Sequence, residues 1–211
     1  MSPEISLKDV EKRIFQSSIQ DGTIEIMVGS VLMMFTIALF LSESLGDFWS
    51  TAVILPFLAG MYWLIQVIRK KIIEPRVGIM KYGPYRKTRL KRMKLVMLIF
   101  NIAALILGFV SFLDFSILPS WVIPARFSII VLIGFSLTAY MLEYSRLFLY
   151  GIVCSLAIPV GEFLYTRYQV PHHGFPITFG VISGVLISIG TITIWRIYKN
   201  NPATAGEDLN G

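Results

Sequence analysis

Six runs of apolar residues separated by short polar stretches set the plan of this chain, at about 24–41, 48–68, 95–113, 127–142, 147–165 and 176–195. Most approach the ~20 residues that a helix needs to cross ~30 Å of hydrocarbon. The fourth and fifth runs are divided only by Glu143-Tyr144-Ser145-Arg146. Taken as one helix, 127–165 would measure roughly 58 Å at 1.5 Å per residue, nearly twice the bilayer core. Two spans joined by a tight turn are therefore expected. The pattern predicts an all-α integral membrane bundle of six transmembrane helices.

Polar segments refine this plan. In residues 1–22, Leu7, Val10 and Ile14 recur at helical spacing with Phe15 beside them, while Lys8, Glu11 and Lys12 face elsewhere. Ser6 with Asp9 three residues on resembles a capping box. This segment reads as an amphipathic helix lying along the inner membrane surface or packing on the basic loop. Residues 23–198 form the transmembrane domain. Residues 199–211 have no apolar run and are expected to be disordered.

Charge decides the orientation. Arg69, Lys70, Lys71, Arg76, Lys81, Arg86, Lys87, Arg89, Lys91, Arg92 and Lys94 crowd into the loop 69–94 between two spans. Short loops rich in Lys and Arg stay cytoplasmic. With both termini inside, only Arg126 and Arg167 of the 19 Lys and Arg fall outside. The expected location is the cell membrane, multi-pass, with both termini cytoplasmic. Trp49, Trp121 and Tyr165 then mark outer boundaries, and Trp195 with Tyr198 the inner end of the last span.

Composition excludes the soluble alternatives. Hydrophobic residues make up 55% of the chain and charged ones 15%, and the mean hydropathy is +0.69. The net charge of +6 is explained by insertion and by anionic lipid headgroups, so no nucleic acid partner is expected. The single cysteine, Cys154, rules out a disulfide within one chain and reads as a small packing residue.

Candidate chemistry is sparse. Asp21-Gly22-Thr23-Ile24-Glu25 puts two carboxylates four apart on one helix face, with Asp21 suited to the N-cap. Together the two acids could instead grip Arg76 or Lys81. Arg76, Lys81, Arg86, Lys87, Arg89, Lys91 and Arg92 form the expected lipid- or partner-binding surface. The segment 74–86 alternates apolar and basic residues between turn-formers and suggests a short hairpin, whereas 87–94 can extend the third span as a helix. In the fifth span Pro159 should kink the helix near Glu162, an ionisable group close to the outer boundary and, with Asp21 and Glu25, a candidate for transport. The bland alternative pairs Glu162 with Arg167 or Arg126. His172 and His173 are weak metal candidates, because adjacent histidines lack metal-ligand spacing. On the last span Gly180, Gly184 and Ser188 line a small-residue face for packing inside the bundle or between copies.

Asp21-Gly22-x-x-Glu25, Pro75-Arg76-x-Gly78 and the Gly-rich last span running into Arg196 and Pro202 resemble a family of uncharacterised prokaryotic multi-pass membrane proteins. The resemblance covers most of the chain and implies no particular activity. Locally, Gly83-Pro84-Tyr85-Arg86 is similar to the start of the cofactor motif of integral-membrane methyltransferases. The chain then reads Lys87-Thr88-Arg89, lacking that family's His and Pro, and the motif precedes the third span. No nucleotide-binding Gly loop and no His-Glu-x-x-His is present. The reading therefore leans to a non-enzymatic protein without a cofactor, binding anionic lipid or a protein partner, with a small transporter or channel as the alternative.

Overall fold

A computed structural model describes residues 20–77, 84–113 and 121–201 of the chain. The described residues are helical, without strands. Helix α1 is Thr23–Leu45, α2 Asp47–Ala52 and α3 Ile54–Ile68. One π-helical turn, Arg69–Ile73, leads into α4, Glu74–Val77. Helices α5 (Pro84–Leu113), α6 (Val122–Leu142) and α7 (Ser145–Tyr168) follow, then a 3-10 turn, His172–Gly174, and α8, Phe175–Asn200. Three prolines sit in first turns, where helices accept them. Pro84 is the first residue of α5, Pro176 the second of α8 and Pro124 the third of α6, places where a missing N–H costs nothing.

Five helical segments are long and apolar enough to cross a membrane: Thr23–Ser42, Lys87–Val110, Val122–Leu142, Ser145–Tyr168 and His172–Asn200. The run 48–68 is not among them, so of the six spans expected five are shown as candidates. It is helical but divides at Val53 into α2 and the 15-residue α3. Pro56 supplies the reason: it has no N–H to bond the carbonyl of Ala52, and its ring crowds that carbonyl. Alone, α3 rises about 22 Å, but Val53 stays α-helical at φ −70 and ψ −22 and its N–H bonds the Trp49 carbonyl, so the helical path runs on through the break. Of the hairpin expected over 74–86, residues 78–83 lie outside the described residues, and both flanks are helical. Residues 74–77 are helical as α4, and 84–86 already belong to α5. Pro159 lies inside an uninterrupted α7, and α8 continues through Asn200, past the expected start of the tail. The amphipathic helix expected over 1–22 and the tail beyond 201 lie outside the described residues, except for Gln20, Asp21 and Gly22.

The chain divides into two compact units, the described parts of Met1–Lys81 with Gly180–Gly211, and of Tyr82–Phe179. In the first unit α1 and α8 run antiparallel in close contact. A Cβ on Gly180 would lie 3.4 Å from Thr36 Cγ2, and one on Gly29 would lie 2.8 Å from Ile187 Cγ1. One on Gly22 would meet the Gly190 carbonyl oxygen at 2.5 Å. Ser183, fully buried, donates a 2.7 Å hydrogen bond to the Gly29 carbonyl. Gly22, Gly29 and Thr36 thus recur every seven residues on α1. A seven-residue repeat keeps one face toward a neighbour as two helices wrap each other. Backbones approach this closely only where side chains are small. Beside this seam Ile26, Ile65 and Ile194 form a buried apolar cluster with Met61, Ile68 and Ile72 against it.

The second unit centres on the α6–α7 hairpin. Glu143 ends α6 in the left-handed region at φ 55, Tyr144 is extended, and α7 begins at Ser145. Inside the hairpin Ser155 Oγ donates to the Ser128 carbonyl at 2.9 Å, and Ser128 Oγ donates to the Ser155 carbonyl. Gly151 faces the Phe135 side chain with no room for a methyl group.

Candidate functional site

The basic segment begins in the π-helical turn. Such turns are rare and gather at functional sites. Here the turn carries Arg69, Lys70 and Lys71, directly after the apolar α3. Lys70 and Lys71 are exposed, whereas Arg69 is half-buried. The charge of Arg69 reaches Asp21. Asp21 and Glu25 are almost completely buried, at 3% and 1% exposure, a placement that ionisable groups seldom adopt without charge partners.

Asp21 is not the N-cap that its position suggested. Gly22 takes that place at φ 85, because the Gly190 carbonyl leaves no space for a Cβ there. One residue earlier, the Asp21 carboxylate accepts from the Thr23 N–H at 2.9 Å and from the Thr23 hydroxyl. Asp21 Oδ2 is buried without a hydrogen-bond partner among the described residues. Burial lifts the Asp21 carboxyl above its usual range, against the lowering pull of the Thr23 hydrogen bonds and the Arg69 charge. The Glu25 charge adds to the rise.

Besides the N-cap, the sequence offered Arg76 or Lys81 as partners for these acids. The positive charge that acts on Asp21 is that of Arg69, and Arg76 has another role. Arg76 Nη1 donates to the Ile72 carbonyl at 2.9 Å, and its guanidinium lies 4.2 Å from the centroid of Tyr198. A cation over an aromatic face is held there electrostatically. Lys81 lies outside the described residues, and so does the Arg86 side chain.

In the second unit, α5 carries the rest of the basic segment as its first turns. Arg89 is half-buried and paired with Glu143, and its Nη2 also donates to the Tyr140 carbonyl at 2.9 Å. This bond holds α5 to the end of α6. Lys87, Lys91, Arg92 and Lys94 remain exposed. The fold therefore sorts the cations. Arg69 and Arg89 are half-buried with partners inside the protein, Arg76 is half-buried against the exposed ring of Tyr198, and Lys70, Lys71, Lys87, Lys91, Arg92 and Lys94 face out.

The other candidate lies where α7 meets α8. Glu162 Oε2 and His173 Nδ1 are 2.9 Å apart, so His173 takes the partner role that the charge pattern assigned to Arg167 or Arg126. The His173 ring packs on Tyr165 at 4.3 Å between centroids. Gln169, His172, His173 and Gly174 all have positive φ, a costly conformation for residues other than glycine. The loop keeps this shape by resting directly on α7. A Cβ on Gly174 would meet the Gly161 carbonyl oxygen at 2.6 Å, and one on Gly161 would lie 2.9 Å from the His173 carbonyl oxygen. Among the described residues no group of three His, Cys, Asp or Glu side chains gathers to hold a metal ion.

Of the small residues singled out on the last span, Gly180 meets α1, Gly184 has open space where a Cβ would stand, and Ser188 is exposed, bonding its own helix at the Gly184 carbonyl. A four-residue step turns about 40° further round the helix each time, so Gly184 and Ser188 rotate off the seam. The seven-residue spacing of Gly22, Gly29 and Thr36 was the legible signal for it. No family model matches this chain, and no significant match is found among curated proteins or solved structures.

Proposed function

We propose that this is a non-enzymatic integral membrane protein whose exposed basic residues bind anionic lipid headgroups. The observation that carries the reading is the continuity of α5. It is one 30-residue helix, about 45 Å long, against a hydrocarbon layer of ~30 Å. Its apolar part, 95–113, accounts for about 28 Å of that length. The preceding turns, with Lys87, Lys91, Arg92 and Lys94 exposed, are thereby held at headgroup level. Along the span of this helix none of the described residues is buried within the chain, which suits contact with lipid. Each Lys or Arg near an anionic surface contributes about 1 kcal/mol, screened by salt.

In this reading the run 48–68 crosses as a sixth span, helped by α3 continuing into the π turn, and both termini are cytoplasmic. The skew of Lys and Arg to one side supports that orientation. The family resemblance to uncharacterised prokaryotic multi-pass proteins is compatible with it. The test is to reconstitute the full chain in nanodiscs of phosphatidylcholine with and without phosphatidylglycerol and to measure the lipid retained per protein. Acidic lipid should be enriched at low salt and less so at high salt. A variant with Lys87, Lys91, Arg92 and Lys94 all changed to Gln should lose most of the enrichment. Arg89 is left in place because it anchors α5. Unchanged enrichment in that variant would reduce the basic turns to a topology signal.

A second reading, a small transporter, draws on the Glu162–His173 pair at the end of α7. Proton or cation flux into liposomes that falls to background in Glu162→Gln would favour it.

A further inference from the structure

Cations and aromatic rings meet at the carboxyl end of α8. Trp195, Arg196, Tyr198 and Lys199 are all exposed there. Arg76 lies over the Tyr198 ring, and Lys199 Nζ is 5.3 Å from the Trp195 centroid. Among the described residues Arg76 makes one hydrogen bond, from Nη1 to Ile72. A guanidinium has five donors, and Arg76 Nε is buried without a hydrogen-bond partner among the described residues.

An apolar stripe leads away from this patch along the same helix. Val181, Val185, Ile189 and Ile192 are exposed, and steps of four, four and three, then three more to Trp195, keep them on one face. From Val185 to Trp195 the helix rises about 15 Å, half of the ~30 Å hydrocarbon layer. The stripe has the depth of one leaflet and ends in two aromatic residues of the kind that settle at a membrane interface.

We propose that this end of α8, with Arg76 of α4, is a discrete site for one acidic phospholipid. Arg76 and Lys199 hold the phosphate, the rings of Trp195 and Tyr198 flank it, and an acyl chain lies along Ile192, Ile189 and Val185. A soluble phosphate would use the cations and leave the stripe without a role, and a zwitterionic lipid gains less from two cations. The inference rests on the reading that the protein meets acidic headgroups, yet it concerns other residues. The exposed cations of α5 are long, free side chains and make a diffuse, salt-screened surface. Arg76 is already positioned by Tyr198 and the Ile72 carbonyl, and such preorganisation lowers the cost of binding.

Native mass spectrometry of the full chain, titrated with phosphatidylglycerol in detergent, tests the site. Wild type should bind a first phosphatidylglycerol more tightly than phosphatidylcholine. Arg76→Gln or Lys199→Gln should weaken that first adduct about fivefold, and the pair together about thirtyfold. The α5 variant should keep the first adduct and lose only later ones. Excess glycerol phosphate should not displace the lipid, and displacement would overturn the phospholipid assignment in favour of a soluble phosphate. If Arg76→Gln fails to fold, Lys199→Gln at its exposed position carries the test, and affinity within twofold of wild type overturns the site. A wild type with no preference for phosphatidylglycerol overturns both this site and the lipid reading. A preference that survives Arg76→Gln and Lys199→Gln overturns the site alone.

Discussion

Replacing Gly22 with Ala tests whether the α1–α8 seam governs the stability of its unit. Gly22 has φ 85, and an L residue held in the left-handed region costs about 1–2 kcal/mol. The added methyl would also stand 2.5 Å from the Gly190 carbonyl oxygen and 3.0 Å from Thr193 Cβ. The nearest obstacle is backbone, so no flexible side chain can yield. Overpacking of this kind costs about 1–3 kcal/mol. The stiffer unfolded chain returns about 0.4–1 kcal/mol, leaving a net loss of about 1–5 kcal/mol. Gly184→Ala is the matched control, since a Cβ there meets nothing within 4 Å. It should be neutral or stabilise by up to about 1 kcal/mol through helix propensity. Reversible unfolding in mixed micelles, followed by circular dichroism, gives both values. Gly22→Ala within about 0.5 kcal/mol of Gly184→Ala, a difference at the limit of what such comparisons resolve, would refute the packing argument.

Asp21 should make stability depend on pH. Its folded pKa is raised above 3.8 by burial, so its contribution is complete below about that value and is lost as pH rises through the folded pKa. Unfolding midpoints from pH 4 upward should fall in wild type relative to Asp21→Asn, and parallel curves would disprove the burial argument. Ser128→Ala and Ser155→Ala should each cost about 0.5–1.5 kcal/mol, and the double variant less than their sum, because both bonds join the same two residues. A double-mutant cycle measures the coupling, and strict additivity would exclude it. Arg89→Ala should destabilise the protein by about 1–3 kcal/mol through the loss of its bonds to Glu143 and Tyr140. Lys91→Ala, exposed on the same helix, should stay within about 0.5 kcal/mol. Equal losses in the two thermal melts would contradict the sorting of the cations.

By itself the sequence determined the material of this protein. Long apolar runs leave a helix as the one structure that satisfies its backbone in hydrocarbon, and Glu143-Tyr144 is too short for anything but a turn between α6 and α7. Lys87 to Lys94 were legible as an extension of the third span, because nothing between them and the apolar run breaks a helix. Which side chains meet was not legible, because contact depends on the rotation of each helix about its axis. The half-buried Arg69 brings its charge within reach of Asp21 from a π turn after α3, a twist that composition does not announce. Arg76 turns to Tyr198, far along the chain, for the same reason. The packing face of α8 runs through Gly180, Ser183, Ile187 and Gly190, since wrapped helices read a repeat near 3.5 residues and drop a repeat of four. Pro56 was visible from the start, but that it divides α2 from α3 was decided by where the helix put the carbonyl of Ala52.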